Sequence, residues 1–100
     1  MKGYYVVYQN EVRGMQLLFR DRNDDPWNPT YASVTVVNPA GDTIITDREC
    51  MVEGNTATML ITTEITSVAG SYNVLWKLTQ EVAGINRIAY CKVIVDVEEL

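Results

Sequence analysis

The sequence predicts an all-β domain, an antiparallel β-sandwich of about seven or eight strands, on three observations. Apolar residues never recur at spacings of three and four over a dozen positions, β-branched and aromatic residues are abundant, and turn signals interrupt the chain every ten residues or so. So many short strands in one small domain must pack two sheets face to face or close a barrel, because a lone sheet leaves one apolar face wet.

The first strand is expected at Tyr4 to Tyr8, with aromatic character on both faces. The second, Met15 to Arg20, puts Met15, Leu17 and Phe19 on one face and Gln16 and Arg20 on the other. Asp21 to Pro29, DRNDDPWNP, holds two prolines and a cluster of Asp and Asn residues, which cannot continue a ladder and favour turns. It is the longest loop in this reading. Tyr31 to Val37 resumes as a strand, and Asn38-Pro39-Ala40-Gly41-Asp42 turns it into Thr43 to Thr46.

A separate short strand, Glu49 to Glu53, is expected to turn Cys50 and Val52 inward before Glu53-Gly54-Asn55 leads into Thr56 to Thr63. The run Tyr72, Val74, Trp76, Leu78 is an apolar stripe at period two and predicts a central strand with Trp76 in the core. Gly84 falls in the next turn, and Ala89, Cys91, Val93, Val95 and Val97 line the inner face of a final strand.

One hundred residues make one domain, spanning 1–100, and 47% hydrophobic with 21% charged residues is a globular composition. No apolar run reaches the ~20 residues that span a bilayer, and the short apolar stretch after Lys2 lacks the form of a secretory signal. The expectation is a chain made and kept in a cytoplasm, without a membrane partner. Eight basic against thirteen acidic residues give a charge of −5, which repels phosphates and argues against nucleic acid as a partner. Cys50 and Cys91 lie far apart with no histidine to complete a zinc site, and both read as reduced core residues.

The segment Ser67-Val68-Ala69-Gly70-Ser71-Tyr72-Asn73-Val74-Leu75-Trp76 resembles the corner of immunoglobulin-like sandwiches, where a tyrosine hydroxyl bonds back to the backbone upstream. The cysteine that antibody domains place two residues later is Val74 here, so the resemblance is to the disulfide-free branches. With the Asn-Pro-Ala-Gly-Asp hairpin, the unsignalled start and the ending, the chain is similar to small immunoglobulin-like modules of tailed-bacteriophage virions, of the decoration, neck or baseplate-attachment type. The resemblance implies a corner role for Tyr72, a location in the virion after synthesis in the host bacterial cytoplasm, and partners among capsid, neck or baseplate proteins and copies of itself.

Chemistry is hard to assemble from these residues. The absence of histidine removes the commonest general base and every Ser-His or Cys-His pair. The acidic pairs Asp24-Asp25 and Glu98-Glu99 lie in a loop and at a terminus, where solvation keeps carboxylates ordinary. The segment from Asp21 begins like a calcium loop, but its sixth position is Pro26 and its twelfth Ala32, where such a loop needs glycine and glutamate. The expectation is therefore no enzyme, no cofactor and no metal.

Interface candidates are Trp27, Tyr31, Tyr5, Asp24 and Asp25. Trp27, between acids and prolines, is either folded over the open end of the sandwich or offered to a partner as an anchor. Tyr5 either meets a partner or lies flat on the sandwich surface. The rival reading is a carbohydrate-recognising sandwich in which Trp27 and Tyr31 form a stacking platform.

Overall fold

The computed structural model describes residues 2–100 and is all-β: seven strands and one single-turn helix. The strands are β1 (Lys2–Tyr8), β2 (Arg13–Leu18), β3 (Tyr31–Val37), β4 (Thr43–Glu53), β5 (Thr56–Ile61), β6 (Gly70–Val82) and β7 (Ile85–Glu98), with α1 (Thr63–Thr66) between β5 and β6. They form one hydrogen-bonded sheet in the order β1-β7-β6-β3-β4-β5-β2, which curls at β4. Thr43, Ile45 and Arg48 to Cys50 pair with β3, whereas Met51 to Glu53 pair with β5. Asp47, with a left-handed φ of 44° and its N–H donating to Thr35 Oγ1 at 3.2 Å, is a bulge inside the β3 ladder, and the change of partner comes further on, between Cys50 and Met51. The two strands expected on either side of Asp47 are therefore one bent strand. A polar stretch reads as a break in pairing even where the backbone continues into a second sheet.

The curl gives the two layers of a sandwich. Met15, Ala57, Met59 and Ile61 from β2 and β5 close over Val34, Val36, Val74, Trp76, Val93 and Val95 from β3, β6 and β7, all of them nearly or fully buried. The alternation in β6 does what its period implies: Tyr72, Val74, Trp76 and Leu78 face this core. Phe19 meets Trp76 edge-on, with ring centroids 6.4 Å apart.

The sheet departs from a purely antiparallel one at its edge, where β1 pairs parallel to β7, Lys2 opposite Lys92 through Tyr8 opposite Glu98. β1 joins no neighbour through a hairpin, and side-chain periodicity carries no information on strand direction. The strand predicted over Thr56 to Thr63 stops at Ile61, because Thr62 becomes the cap of α1 and its side chain accepts from Glu64 N–H at 3.3 Å. Glu64 then takes both Arg48 guanidinium nitrogens, at 2.7 and 3.2 Å, fastening α1 to β4. That bond holds the Glu64 carboxyl below its ordinary range.

At the crossing into β6, the Tyr72 hydroxyl donates to the carbonyl of Val68 at 2.7 Å. Gly70 sits beside it at φ 137°, so close to Pro39 that a Cβ would lie 2.5 Å from the proline Cγ. Both thiols are free; Cys91 is buried, but Cys50 is only half-buried, because β4 is already leaving the core at that point.

Candidate interaction surface

β6 and β7 outlast the rest of the sheet. They pair from Gly70 opposite Val97 to Val82 opposite Ile85. β3 accompanies β6 only as far as Thr79, and β1 accompanies β7 only from Lys92. Beyond those points the hairpin is a two-stranded arm, turned by Ala83 and Gly84, both with positive φ as a two-residue primed turn requires. Every residue from Glu81 to Ile88 is exposed, and the arm helps stretch the molecule to 46 × 23 × 19 Å. Gly84 lies in the turn as its sequence suggests, but the last strand begins at Ile85, ahead of the inner face expected from Ala89 onward. With both faces in water, the arm lacks the inside-outside alternation on which strand reading depends.

The two edges of the arm differ. On the β6 side the chain covers itself: Glu81 N–H donates to Thr30 Oγ1 at 2.9 Å, Gln80 Nε2 to the Asn28 carbonyl at 3.2 Å, and Thr30 N–H to the Thr79 carbonyl at 2.7 Å. On the β7 side, from Ile85 to Tyr90, no strand lies alongside among the described residues.

This open edge leads onto a largely apolar cleft of about 260 Å³ lined by Phe19, Trp27, Leu78, Ala89, Tyr90 and Cys91 together with Arg20 and Asp21. Trp27 is folded back over the end of the sandwich, half-buried against the core, and its backbone N–H donates to the Phe19 carbonyl at 3.1 Å. One side of the indole completes the core while the other lines the cleft. Asp24 and Asp25 are exposed in the adjoining turn. Asp21 Oδ1 spends its lone pairs on the N–H groups of Asn23 and Asp25, at 2.8 and 3.0 Å, so the acid-rich loop is built by side chains capping turns. Among the described residues, no three acidic or cysteine side chains group as a metal site.

Tyr31 is exposed on the opposite, outer face, in a polar cleft with Ser33, Asp47, Glu49, Lys77 and Thr79. Trp27 and Tyr31 therefore line separate clefts and do not make one stacking platform. Tyr5, expected at an interface, is on the core side of β1 opposite Val95, half-buried, and covered by the Arg13 guanidinium at 5.2 Å from its ring centre. The outward aromatics of β1 are its neighbours Tyr4 and Tyr8, 64% and 53% exposed. The Tyr4 hydroxyl is engaged by Asp96, which leaves its ring as the free surface.

Across the same outer face run Ile94 opposite Tyr4, Leu75 opposite Lys92, Tyr90 opposite Lys77 and Ile88 opposite Thr79. Leu75, Tyr90 and Ile88 are all exposed. Sequence reasoning missed these residues. Their alternation is visible in hindsight, since Ile88 and Tyr90 stand at outward positions of β7 where a solvated face carries polar side chains.

No protein-family model matches the chain, and a search of curated proteins finds no significant match. Among the described residues, no helix is long and apolar enough to cross a membrane. The fold and this surface define the class: an all-β, sheet-rich sandwich with an extended hairpin arm and an outer face on which exposed aromatic and aliphatic residues alternate with polar ones.

Proposed function

We propose that the chain is a non-enzymatic structural and interaction protein, a tailed-bacteriophage virion component that attaches to capsid, neck or baseplate proteins within a larger symmetric assembly. The observation that carries this reading is the outer face of the five-stranded layer. Tyr4, Leu75, Ile88 and Tyr90 stand exposed on the neighbouring strands β1, β6 and β7. Outward aromatic and aliphatic side chains on a sheet add a little through cross-strand pairing but cost solubility, and aromatic residues of this kind are the ones that anchor protein interfaces. The lack of histidine and the raised thiols of Cys50 and Cys91, pushed up by burial, support a role without nucleophilic chemistry. The resemblance of the Tyr72 corner to immunoglobulin-like sandwiches and, with the Asn38–Asp42 hairpin, of the chain to small virion modules of that kind supports the setting.

The test is a pair of substitutions on the face, Tyr90→Lys and Leu75→Lys, followed by incorporation into particles. Both positions are exposed, so the melting temperature should hold while occupancy falls. Full occupancy of a correctly folded double variant refutes this face as the attachment surface.

A further inference from the structure

We infer that the open edge of β7, from Ile85 to Tyr90, together with the Trp27 cleft, seats the hairpin arm of a second copy of this chain. The inference rests on the reading of the chain as a multi-copy assembly component and names the copy-to-copy contact within it.

The physical case begins with the arm. A two-stranded ribbon alone is marginal in water, and an unpaired strand edge presents a row of backbone donors and acceptors ready for another strand. Thr30 already takes the Glu81 N–H on the β6 edge, while β7 from Ile85 to Tyr90 has no strand beside it among the described residues. Natural edges of this kind are blunted by charge, proline or a bulge. From Ile85 to Tyr90 the single such device is Arg87.

Three features select a second copy as the occupant. The first is shape. The open edge is the side of the arm itself, and it is stepped off where β1 begins at Lys92. A two-fold rotation about an axis through this edge lays the second arm antiparallel beside the first, so each arm fills the step left by the other and both edges are satisfied at once. The second is charge. The chain carries −5 overall, but Glu81 and Arg87 are the only charged residues in 80–91, so two arms meet without two acidic surfaces, and the two Arg87 side chains that a two-fold brings near each other are drawn apart toward the acids at the clefts.

The third is complementarity with the cleft. Val82, Ile85 and Arg87 share the arm face that carries Leu78 and Ala89, by the pairings Val82–Ile85, Gln80–Arg87 and Leu78–Ala89. An arm laid along β7 thus brings an isoleucine and a cation over a largely apolar cleft lined by Phe19 and Trp27. Asp21 also lines that cleft, and Asp24 and Asp25 follow it in the same turn. Arg87 has no carboxylate partner within its own chain among the described residues.

Sedimentation equilibrium from micromolar to millimolar concentration, with amide hydrogen exchange at both ends of the range, tests this on the full chain. The expected result is a monomer–dimer equilibrium with concentration-dependent protection of the amides from 85 to 90. Ile85→Asp and Arg87→Glu, both at exposed positions, weaken the dimer by about tenfold or more at unchanged melting temperature. Combining Arg87→Glu with Asp24→Arg and Asp25→Arg restores part of the loss. A monomer at every concentration with equal exchange at 85–90, a dimer indifferent to both substitutions, or protection that arises only when a different protein or another segment of this chain is supplied, each overturns the inference. A chain that reaches full occupancy on particles without self-pairing defeats the inference and leaves the proposed function standing. A chain that dimerises through this edge and is absent from particles does the reverse.

Discussion

Removing the Tyr72 hydroxyl isolates one interaction in a known setting. Tyr72 is 3% exposed, and its hydroxyl donates to the Val68 carbonyl at 2.7 Å across the turn that brings the chain from α1 into β6. Tyr72→Phe keeps the ring, so no cavity forms and the loss is one neutral hydrogen bond, about 0.5–1.5 kcal/mol. Val68 is 61% exposed, so water can reach the freed carbonyl, and the upper range for a stranded buried acceptor does not apply. About 1 kcal/mol is expected, a fall in melting temperature of roughly 4–8 °C for a domain of this size. Urea denaturation should show a lower midpoint at an unchanged slope. Tyr8→Phe, on an exposed ring, is the control and should stay within about 0.5 kcal/mol of the parent. Burial raises the Tyr72 phenol above its ordinary value of 10, so the unfolded chain ionises first. The contribution is full below pH 10 and is lost as pH rises through the folded value, a loss that Tyr72→Phe abolishes. An unchanged midpoint in the phenylalanine variant would refute the corner as a fastening element.

Gly70→Ala should destabilise by about 2–4 kcal/mol, since it combines a positive φ with a Cβ 2.5 Å from a rigid proline ring, while Gly41→Ala meets nothing within 4 Å and costs only its φ of 91°. Thermal melts of the two variants check the difference. Trp27→Ala should cost about 1.5–3 kcal/mol by urea titration, less than a fully buried indole, because only one side of the ring packs on the core. Cys50, pushed up to about 11 by burial, and Cys91, also raised, should label slowly at pH 8, Cys50 first, and rapidly after unfolding. Because the unfolded thiols ionise near 9, the native state should lose stability from about pH 9 to 11, and Cys50→Ser should remove part of that slope in pH-dependent melts.

The strands that face the core were legible because burial imposes period two: Tyr72 to Leu78 and Cys91 to Val97 declare their inner face directly. What was hidden lacks that constraint. The arm has no buried face, the parallel pairing of β1 has no signature in alternation, and the bulge at Asp47 reads as a loop because its neighbours are polar and exposed on both sides. The candidate surface divides in the same way. Trp27 was conspicuous as a large ring in a polar loop, and the fold places it back against the core, where it also lines a cleft. Tyr5 was misplaced because adjacent tyrosines on a short strand give no clue to which side is inward; the register against Val95 decides it.

The central claim is that this domain works by being bound within a symmetric particle, and the most direct measurement is its copy number there. Quantitative mass spectrometry of particles purified from cells that produce the chain should find it bound in a fixed ratio to the capsid, neck or baseplate proteins, at a multiple set by particle symmetry. Its absence from purified particles, or a trace amount that washes away without any fixed ratio, would contradict the account.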